Sequence, residues 1–381
     1  VQATRSMAAA TVQDGLGSSA GSLLSNFEES ERFGRIYTGG PIAVSRDATY
    51  VVCTCGESLT VLSVETGKVL LEIESEADEF TAFALHPIDP ELVAATRSRQ
   101  LHHHTLDVGA RTSERGRSWK AHKMPILDLA YEGTGTLVAS ASADSSVMVF
   151  DVAKGFCTHV FRGHEGVAQR VLFHPDAERL TLFSAAADNA VRVWDLRKRA
   201  CVGVLSGHVG LPAALAVSPD GATLLSGGRD QVVNVWSIAD CSLKQSIAVL
   251  EPIEALLALP GRKGKEKAPL QFVTAGENGL LRAWDGATGR CIRKQPPPGG
   301  ERGSVPGLMQ LHVCGPKLLT ATADHNLVFH EVESLAPGRC IVGYNDEITD
   351  IKYVPSAPPS AANGESGDEN GGGGGGGGGG G

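Results

Sequence analysis

Apolar and polar residues alternate in short stretches that recur along the middle of the chain. β-Branched and aromatic residues dominate these stretches, and turn-forming residues separate them, as is typical of β-strands. Successive copies of the best-preserved stretch lie 42 to 48 residues apart. In chain order the copies are SLTVLSV near Leu62, LHHHTL near His104, SVMVFDV at Phe150, AVRVWDL at Trp194, VVNVWSI at Trp236, LLRAWDG at Trp284 and NLVFHEV at His330.

Each copy of the repeat resolves into four short predicted strands. In the fourth copy these are RVLFHP, LTLFSA, AVRVWDL and CVGVLSG, joined by the turns PDAE, ADN and RKRA. Asp and Asn tolerate the backbone geometry of tight turns and bond to their own backbone. A period of this length, with a Trp-Asp strand end and a Gly-His dipeptide before it, is the signature of a WD-repeat blade. The sequence therefore predicts an all-β fold, a seven-bladed WD-repeat β-propeller with disordered termini.

The predicted propeller occupies residues 32–355. Residues 1–31 are small and polar, and residues 356–381 end in eleven consecutive glycines, so both segments are predicted to be disordered. Ile348–Pro355 is predicted to be the first strand of an eighth repeat, and Arg32–Gly40 a lone strand before the first. The sequence leaves open whether that lone strand closes the ring. The chain does not begin with Met, which we interpret as the sign of either a fragment or a processed gene model.

Composition narrows the function classes. The formal net charge is −9, which argues against a domain coated in nucleic acid, although local basic loops remain compatible with it. The chain has no run of 18 apolar residues and no basic segment followed by an apolar one at its start. We therefore expect no membrane contact and no secretory signal.

Three copies contain His, Ser and Asp at matching offsets, the residue types of a nucleophilic triad. In each copy the Ser precedes the Asp by four residues, and the Asp precedes an aromatic residue by six. An active site is needed once, whereas an architectural element is needed in every blade, so we predict structural tetrads and no catalytic residues. Such groups satisfy one another's hydrogen bonds when buried. The predicted tetrads are His122, Ser140, Asp144 and Phe150; His164, Ser184, Asp188 and Trp194; and His208, Ser226, Asp230 and Trp236.

The remaining four copies depart from the tetrad pattern. We expect blades one, two and six to depend on packing more than on a polar network. The departures are Gly56, Ser98 and Asn278 at the Asp position and His330 at the aromatic position, beside the retained Thr320 and Asp324.

The cysteines and a histidine triplet are the candidates for metal binding. Cys157, Cys201 and Cys291 each follow the blade aromatic by seven residues, so they occupy a repeat position and a blade separates them. No CxxC pair occurs, which argues against zinc sites and disulfides. In His102–His104 alternation sends the middle side chain to the opposite face, and we interpret the triplet as an exposed polar strand. We predict no metal, no cofactor and no small-molecule substrate.

Two basic segments are candidates for contact with a partner or with RNA phosphates. One is the turn after Trp194, and the other is an insertion that begins at Gly261; the ordinary interpretation of both is a solvated turn. Their basic residues are Arg197, Lys198 and Arg199 in the turn and Arg262, Lys263, Lys265 and Lys267 in the insertion.

Several copies depart from the general WD pattern in a particular way. RGHEGV followed by FHPD, and ATADHNLVFHE with His330 and Glu331 in place of Trp-Asp, are two examples. Other such segments are IYTGG, VVCTCGESLTVLSVETGKVL, EFTAFALHP, SGGRDQVVNVWSI and FVTAGENGLLRAWDGATGRC. Together they make the chain resemble the first propeller of the transducin beta-like protein 3 family, a resemblance that covers nearly all of the predicted structured region.

The resemblance implies a non-catalytic scaffold of the nucleolar small-subunit processome, within its UTP-B subcomplex. Such a protein supports processing of the ribosomal RNA precursor and biogenesis of the 40S ribosomal subunit. The implied partners are other UTP-B proteins, the ribosomal RNA precursor and box C/D small nucleolar RNA, with direct or indirect RNA contact. The implied location is the nucleus and nucleolus, and the implied missing part is a second propeller with a helical domain.

Three alternatives compete with the scaffold. Trp194-Asp195-Leu196-Arg197 matches the W-D-x-R pattern by which substrate receptors of cullin-type ubiquitin ligases meet their adaptor, although the pattern also arises by chance in many blades. A β-subunit of a signalling G protein would need an N-terminal coiled coil, and residues 1–31 have no heptad pattern. This G-protein alternative ranks last of the three, and for hydrolase activity from a His-Ser-Asp set, which Ser184→Ala would test, we expect no activity to lose.

Overall fold

The computed structural model describes residues 36–75, 78–259, 270–295 and 305–342. They form seven antiparallel sheets of four strands each, with one 3₁₀ turn at Ala177–Arg179 in the described part of the chain. The predicted all-β, seven-bladed propeller is therefore confirmed. None of the described helical segments is long and apolar enough to cross a membrane.

Each blade consists of four strands that are consecutive in the sequence. The strands are, blade by blade, β1 (Ile42–Val44), β2 (Tyr50–Cys55), β3 (Ser58–Ser63), β4 (Val69–Ile73); β5 (Phe80–Leu85), β6 (Glu91–Thr96), β7 (Gln100–Asp107), β8 (Thr112–Lys120); β9 (Ile126–Tyr131), β10 (Leu137–Ser142), β11 (Ser146–Asp151), β12 (Phe156–Arg162); β13 (Ala168–Phe173), β14 (Thr181–Ala186), β15 (Ala190–Asp195), β16 (Ala200–Ser206); β17 (Pro212–Val217), β18 (Thr223–Gly228), β19 (Val232–Ser237), β20 (Ser242–Ala248); β21 (Ile253–Ala258), β22 (Gln271–Gly276), β23 (Arg282–Asp285), β24 (Cys291–Lys294); β25 (Leu308–Cys314), β26 (Lys317–Thr322), β27 (Leu327–Glu331) and β28 (Pro337–Ile341).

The first strand of each blade is the innermost, and the first strands of neighbouring blades contact one another around the ring. The second strands of blades four and five are buried along almost their whole length and their third strands along most of it, because neighbouring blades cover both faces. Phe161 of blade three, for example, stacks on Trp194 of blade four with ring centroids 4.9 Å apart. The fourth strands form the exposed outer edges.

A β-bulge recurs between the third and fourth strands of all seven blades. In blade four it falls between Val193 and Trp194, and it lies at the aromatic position or its equivalent in the other six blades. A bulge bends a strand and redirects a side chain. The repeat therefore encodes a fixed orientation of this residue as well as its burial.

The ring closes between blades one and seven without exchange of a strand among the described residues. Gln310 joins the two blades, since its Oε1 accepts the backbone N–H of Ile42 at 2.9 Å and its Nε2 donates to the carbonyl of Gly40. Tyr37 is buried in the apolar cluster that spans the same junction.

The lone strand predicted at Arg32–Gly40 is wrong for its described part, residues 36–40. These residues have no strand assignment. Gly39 and Gly40 have φ angles of +94° and +104°, which interrupt an extended backbone. The Tyr37 hydroxyl donates to the carbonyl of Gly40 at 2.8 Å, so the segment is a turn that places an aromatic ring in the core.

Some predictions fall on residues outside the described ranges. These are the disorder of residues 1–31 and 356–381, the strand at Ile348–Pro355 and the basic insertion after Gly261. The domain boundaries at 32 and 355 likewise stay predictions.

Candidate functional site

Four side chains of blade four meet in the interior of the propeller. Trp194 Nε1 lies 2.8 Å from Ser184 Oγ, and His164 Nε2 lies 2.7 Å from the same oxygen. His164 Nδ1 lies 2.9 Å from Asp188 Oδ2. The set connects the loop before β13, the middle of β14, the β14–β15 turn and β15.

The direction of each hydrogen bond in the tetrad follows from the two groups at its ends, an indole and a carboxylate. An indole N–H can only donate and an ionised carboxylate can only accept, so Ser184 donates to His164 and His164 donates to Asp188. Burial alone would raise the pKa of Asp188, but the hydrogen bond from His164 and backbone N–H groups hold that pKa below its usual range. Burial lowers the pKa of His164 and outweighs the attraction of Asp188, so the imidazole stays neutral at neutral pH.

The Asp188 carboxylate also fixes the loop that contains His164. Its Oδ2 accepts the backbone N–H of Glu165 at 3.2 Å, and its Oδ1 accepts that of Ala190 at 3.2 Å. A Cβ at Gly166 would come within 2.7 Å of the Asp188 backbone nitrogen, so the GHEG loop packs closely only because glycine stands there. The tetrad thus holds a loop against two strands.

Blade five repeats this arrangement and blade three varies it. Trp236 Nε1 lies 2.8 Å and His208 Nε2 lies 2.7 Å from Ser226 Oγ, and His208 Nδ1 lies 2.9 Å from Asp230 Oδ2. In blade three Phe150 has no N–H to donate. The other contacts there join His122 Nε2 to Ser140 Oγ at 2.7 Å and His122 Nδ1 to Asp144 at 3.1 Å, and Ser146 Oγ adds a bond to Asp144 at 2.5 Å.

The three serines have no access to a substrate. Ser140, Ser184 and Ser226 have no solvent-exposed surface. A nucleophile must reach a reacting carbon, and burial denies Ser184 that access while the Trp194 N–H engages one of its two lone pairs. The geometry of the three sets suits cross-linking of strands.

Blades six and seven contain polar contacts that the sequence pattern did not identify. Trp284 Nε1 donates to Thr274 Oγ1 at 3.0 Å, so blade six keeps half of a tetrad despite Asn278. Beside it the Arg282 guanidinium lies 2.6 Å from the buried Glu251 carboxylate. In blade seven His330 Nε2 lies 2.9 Å from Thr320 Oγ1, where the imidazole takes the place of an indole.

The interpretation of the histidine triplet in blade two as an exposed polar strand is wrong. His102 and His104 are buried, with 8% and 5% of their surface exposed, and only the side chain of His103 points to the opposite face, where it contacts Glu91 at 2.9 Å. The reason is positional, since β7 is the third strand of its blade and the adjacent blades cover it. His104 occupies the place that Trp194 holds in blade four.

The basic turn after Trp194 is on the outer surface of blade four. Arg197 donates to the backbone carbonyl of Glu178, and Lys198 lies 3.6 Å from Asp195. Arg199 lines a cavity of about 500 Å³ between the outer strands of blades three and four, together with Arg162 and Trp194. The basic residues of the insertion, Arg262, Lys263, Lys265 and Lys267, lie outside the described residues.

The eight cysteines are free thiols. Cys157, Cys201 and Cys291 stand opposite the blade aromatic at the start of the fourth strand, each exposed. Within the described ranges no group of three His, Cys, Asp or Glu side chains is arranged to hold a metal ion.

Comparison with known proteins shows which families and proteins the chain is similar to. Residues 113–151, 155–195 and 199–237 match the WD40 family (WD domain, G-beta repeat). The chain is 36% identical over 340 residues to transducin beta-like protein 3 of Bos taurus, which covers 88% of this chain and 42% of that protein. The Homo sapiens protein of the same name gives the same identity and coverage.

A more distant relative is U3 small nucleolar RNA-associated protein 13 of Saccharomyces cerevisiae, 28% identical over 343 residues. That alignment covers 84% of this chain and 41% of the yeast protein. The chain thus spans about two fifths of the length of these curated relatives. The resemblance inferred from the sequences of the repeats is confirmed. The chain is a seven-bladed β-propeller of WD repeats, and most of its length is similar to transducin beta-like protein 3.

Proposed function

We propose that the chain is a propeller of a ribosome-biogenesis protein, a non-catalytic scaffold in the UTP-B subcomplex of the nucleolar small-subunit processome. The observation that carries the proposal is similarity to transducin beta-like protein 3, at 36% identity over 88% of the chain. The yeast relative is named for its association with U3 small nucleolar RNA, which supports the same assignment.

The polar interior of the ring supports a structural role for the tetrads. His164, Ser184, Asp188 and Trp194 satisfy one another's hydrogen bonds away from solvent, and the same set recurs in blade five. A rigid ring presents loops and outer strands at fixed positions, which is what a multivalent scaffold requires. None of the relatives named above is named as an enzyme.

The partners that we propose are other UTP-B proteins, with the ribosomal RNA precursor and box C/D small nucleolar RNA in the same assembly, in the nucleolus. The formal charge of −9 favours protein contacts as the larger part of the binding surface. Basic segments such as Arg197–Arg199 are local exceptions to this charge.

The ubiquitin-ligase alternative finds less support. Arg197 of the W-D-x-R motif donates to the backbone carbonyl of Glu178 within its own blade, so an adaptor would have to displace that bond. If Arg197→Ala abolished a measurable interaction with a cullin adaptor while leaving the fold intact, this alternative would regain its place.

The decisive test is to tag the protein that contains this chain in its own cells and purify it under native conditions. We expect UTP-B proteins and a box C/D small nucleolar RNA to be enriched, and the tagged protein to concentrate in the nucleolus. A tagged unrelated propeller serves as the control. Exclusion from the nucleolus, or a purification that contains cullin adaptors in place of UTP-B proteins, would overturn the proposal.

A further inference from the structure

The outer edge of blade two has a charge opposite to that of the chain. Residues 97–123 contain seven Arg or Lys residues and two acidic residues, in a chain of net charge −9. Strand β8 is the edge strand of its sheet and extends over nine residues. Arg115, Arg117 and Lys120 on this strand are exposed. A basic strip on an acidic protein is complementary to a polyanion.

A cavity of about 160 Å³ opens beside this strand, between blades one and two. Its walls include Phe80, His102, His104, Ser113 and Arg115, with Glu74 also among the lining residues. The third-strand position that His104 occupies in blade two is that of Trp194 in blade four, which lines the cavity of about 500 Å³ between blades three and four.

The imidazole of His104 has an unused hydrogen-bonding atom. The side chain is 5% exposed, and its Nδ1 has no hydrogen-bond partner among the described residues. An unpaired buried polar atom costs free energy unless a ligand or water completes it. Burial, followed by the nearby charge of His102, lowers the pKa of His104 to about 4, so the ring is neutral and can donate or accept. Phe80 meets this ring edge to face, with centroids 6.5 Å apart.

The two features call for a ligand with a neutral, flat, hydrogen-bonding part and an anionic part. The Glu74 carboxylate disfavours an anion inside the cavity, whereas the strand outside favours one. An acidic peptide would have to place negatively charged side chains both along the strand and inside the cavity, where the Glu74 carboxylate disfavours them. A single-stranded nucleic acid separates the two parts, because its bases are neutral and stack on aromatic rings while its phosphates form a continuous anionic backbone.

We propose that the outer edge of blade two binds single-stranded RNA, with phosphates along Arg115, Arg117 and Lys120 and one unstacked base in the cavity at His104. This inference rests on the proposed function and deepens it, because it assigns direct RNA contact to one edge of the ring. Contact along this exposed strand leaves the other outer edges available to protein partners.

The test uses the whole chain and short fluorescein-labelled oligoadenylate and oligouridylate, with binding followed by fluorescence anisotropy over a range of salt concentrations. The variant Arg115→Ala/Lys120→Ala/Arg117→Ala should weaken binding by about tenfold or more and reduce the slope of log K against log salt by about two, since each phosphate contact contributes about 0.7 for single strands. The matched control Arg290→Ala/Lys294→Ala/Lys317→Ala removes three positive charges from exposed positions on blades six and seven and should leave both quantities unchanged.

The base cavity is tested separately, by removing its ring and by narrowing its mouth. His104→Ala should weaken binding by about fivefold or more through loss of stacking, with an unchanged salt slope. Because a buried exchange can disturb folding, Ser113→Leu fills the same cavity from its rim and should have the same effect, with thermal melting as the check on both.

The proposal is overturned if the parent chain binds no oligonucleotide at low salt, or if the blade-two triple variant binds as the control does. It is also overturned if a polyglutamate peptide binds this edge as tightly as RNA, which would make the partner an acidic protein. If the parent chain binds no RNA in vitro but the tagged protein still purifies with UTP-B proteins from cells, this inference alone is refuted. Failure of the purification with intact RNA binding would refute the proposed function alone.

Discussion

The indole N–H of Trp194 donates to the Ser184 hydroxyl at 2.8 Å, and the same oxygen is hydrogen-bonded to the buried imidazole of His164. In blade three Phe150 stands at the position of the indole, so Ser140 serves only His122 among the rings of its tetrad. The two serines are equally buried and have the same chain position within their blades. They therefore form a pair in which only Ser184 accepts an indole N–H, while Ser140 Oγ also lies 3.4 Å from the carbonyl oxygen of Met148.

Replacing each serine by alanine measures what the indole bond contributes. Ser184→Ala leaves His164 Nε2 and Trp194 Nε1 without partners, and we expect a loss of about 2–4 kcal/mol in the free energy of unfolding. Ser140→Ala leaves one ring nitrogen unpaired, and the expected loss is about 1–2 kcal/mol. Urea unfolding followed by tryptophan fluorescence gives both values. Equal losses in the two variants would show that the indole bond adds nothing to stability.

The fold was predictable because its evidence repeats. Each blade contains the same alternation, and the tetrad residues recur at fixed offsets, so an error in one copy is corrected by the next. Trp194 and Trp236 could be assigned to the core with their partners for this reason, and the structure brings those partners within hydrogen-bond distance.

Features that occur once in the chain were not predictable in this way. The burial of His102 and His104 depends on a neighbouring blade, which alternation within β7 does not reveal. The closure through Gln310 joins residues 268 positions apart in the sequence. The ion pair of Arg282 and Glu251 joins residues 31 positions apart, and the tetrad offsets do not include this pairing.

A second prediction concerns this closure. Gln310→Ala removes the acceptor for Ile42 N–H and the donor to Gly40, and the expected loss of stability is about 1–2 kcal/mol. Hydrogen exchange of the β1 amides should accelerate, because β1 has only three residues and pairs with β2 alone within its sheet. The control Gln271→Ala removes an amide that contacts Arg293 within blade six and should leave exchange of β1 unchanged. If the two variants change β1 equally, Gln310 has no special part in closure.

Thiol labelling provides a third prediction. Native protein treated with a maleimide should react at the exposed cysteines, whereas Cys53 and Cys314 should react only after unfolding. Burial raises the pKa of the Cys53 thiol, which suppresses the reactive thiolate, and its Sγ donates to the carbonyl of Ile36 at 3.2 Å. Peptide mass mapping identifies the labelled sites. Rapid native labelling of Cys53 would show that the junction of blades one and seven opens. The sites expected to react first are Cys157, Cys201, Cys291 and Cys340.

The buried imidazole of His104 should make the ring sensitive to acid. Its pKa is lowered to about 4 in the folded chain, while an unfolded His titrates near its ordinary value of about 6.5. Between these two values the unfolded chain binds a proton that the folded chain does not, so stability is complete above about pH 6.5 and falls as the pH falls towards 4. From about pH 7 to about pH 5 this one group accounts for about 2 kcal/mol. Urea unfolding at both pH values should show His104→Gln and His104→Leu losing less stability on acidification than the parent chain, by about that amount. The Gln and Leu side chains differ in polarity, but neither titrates. If both variants lose as much stability on acidification as the parent chain, other histidines determine the acid dependence, such as His164 and His122 with their own lowered pKa values.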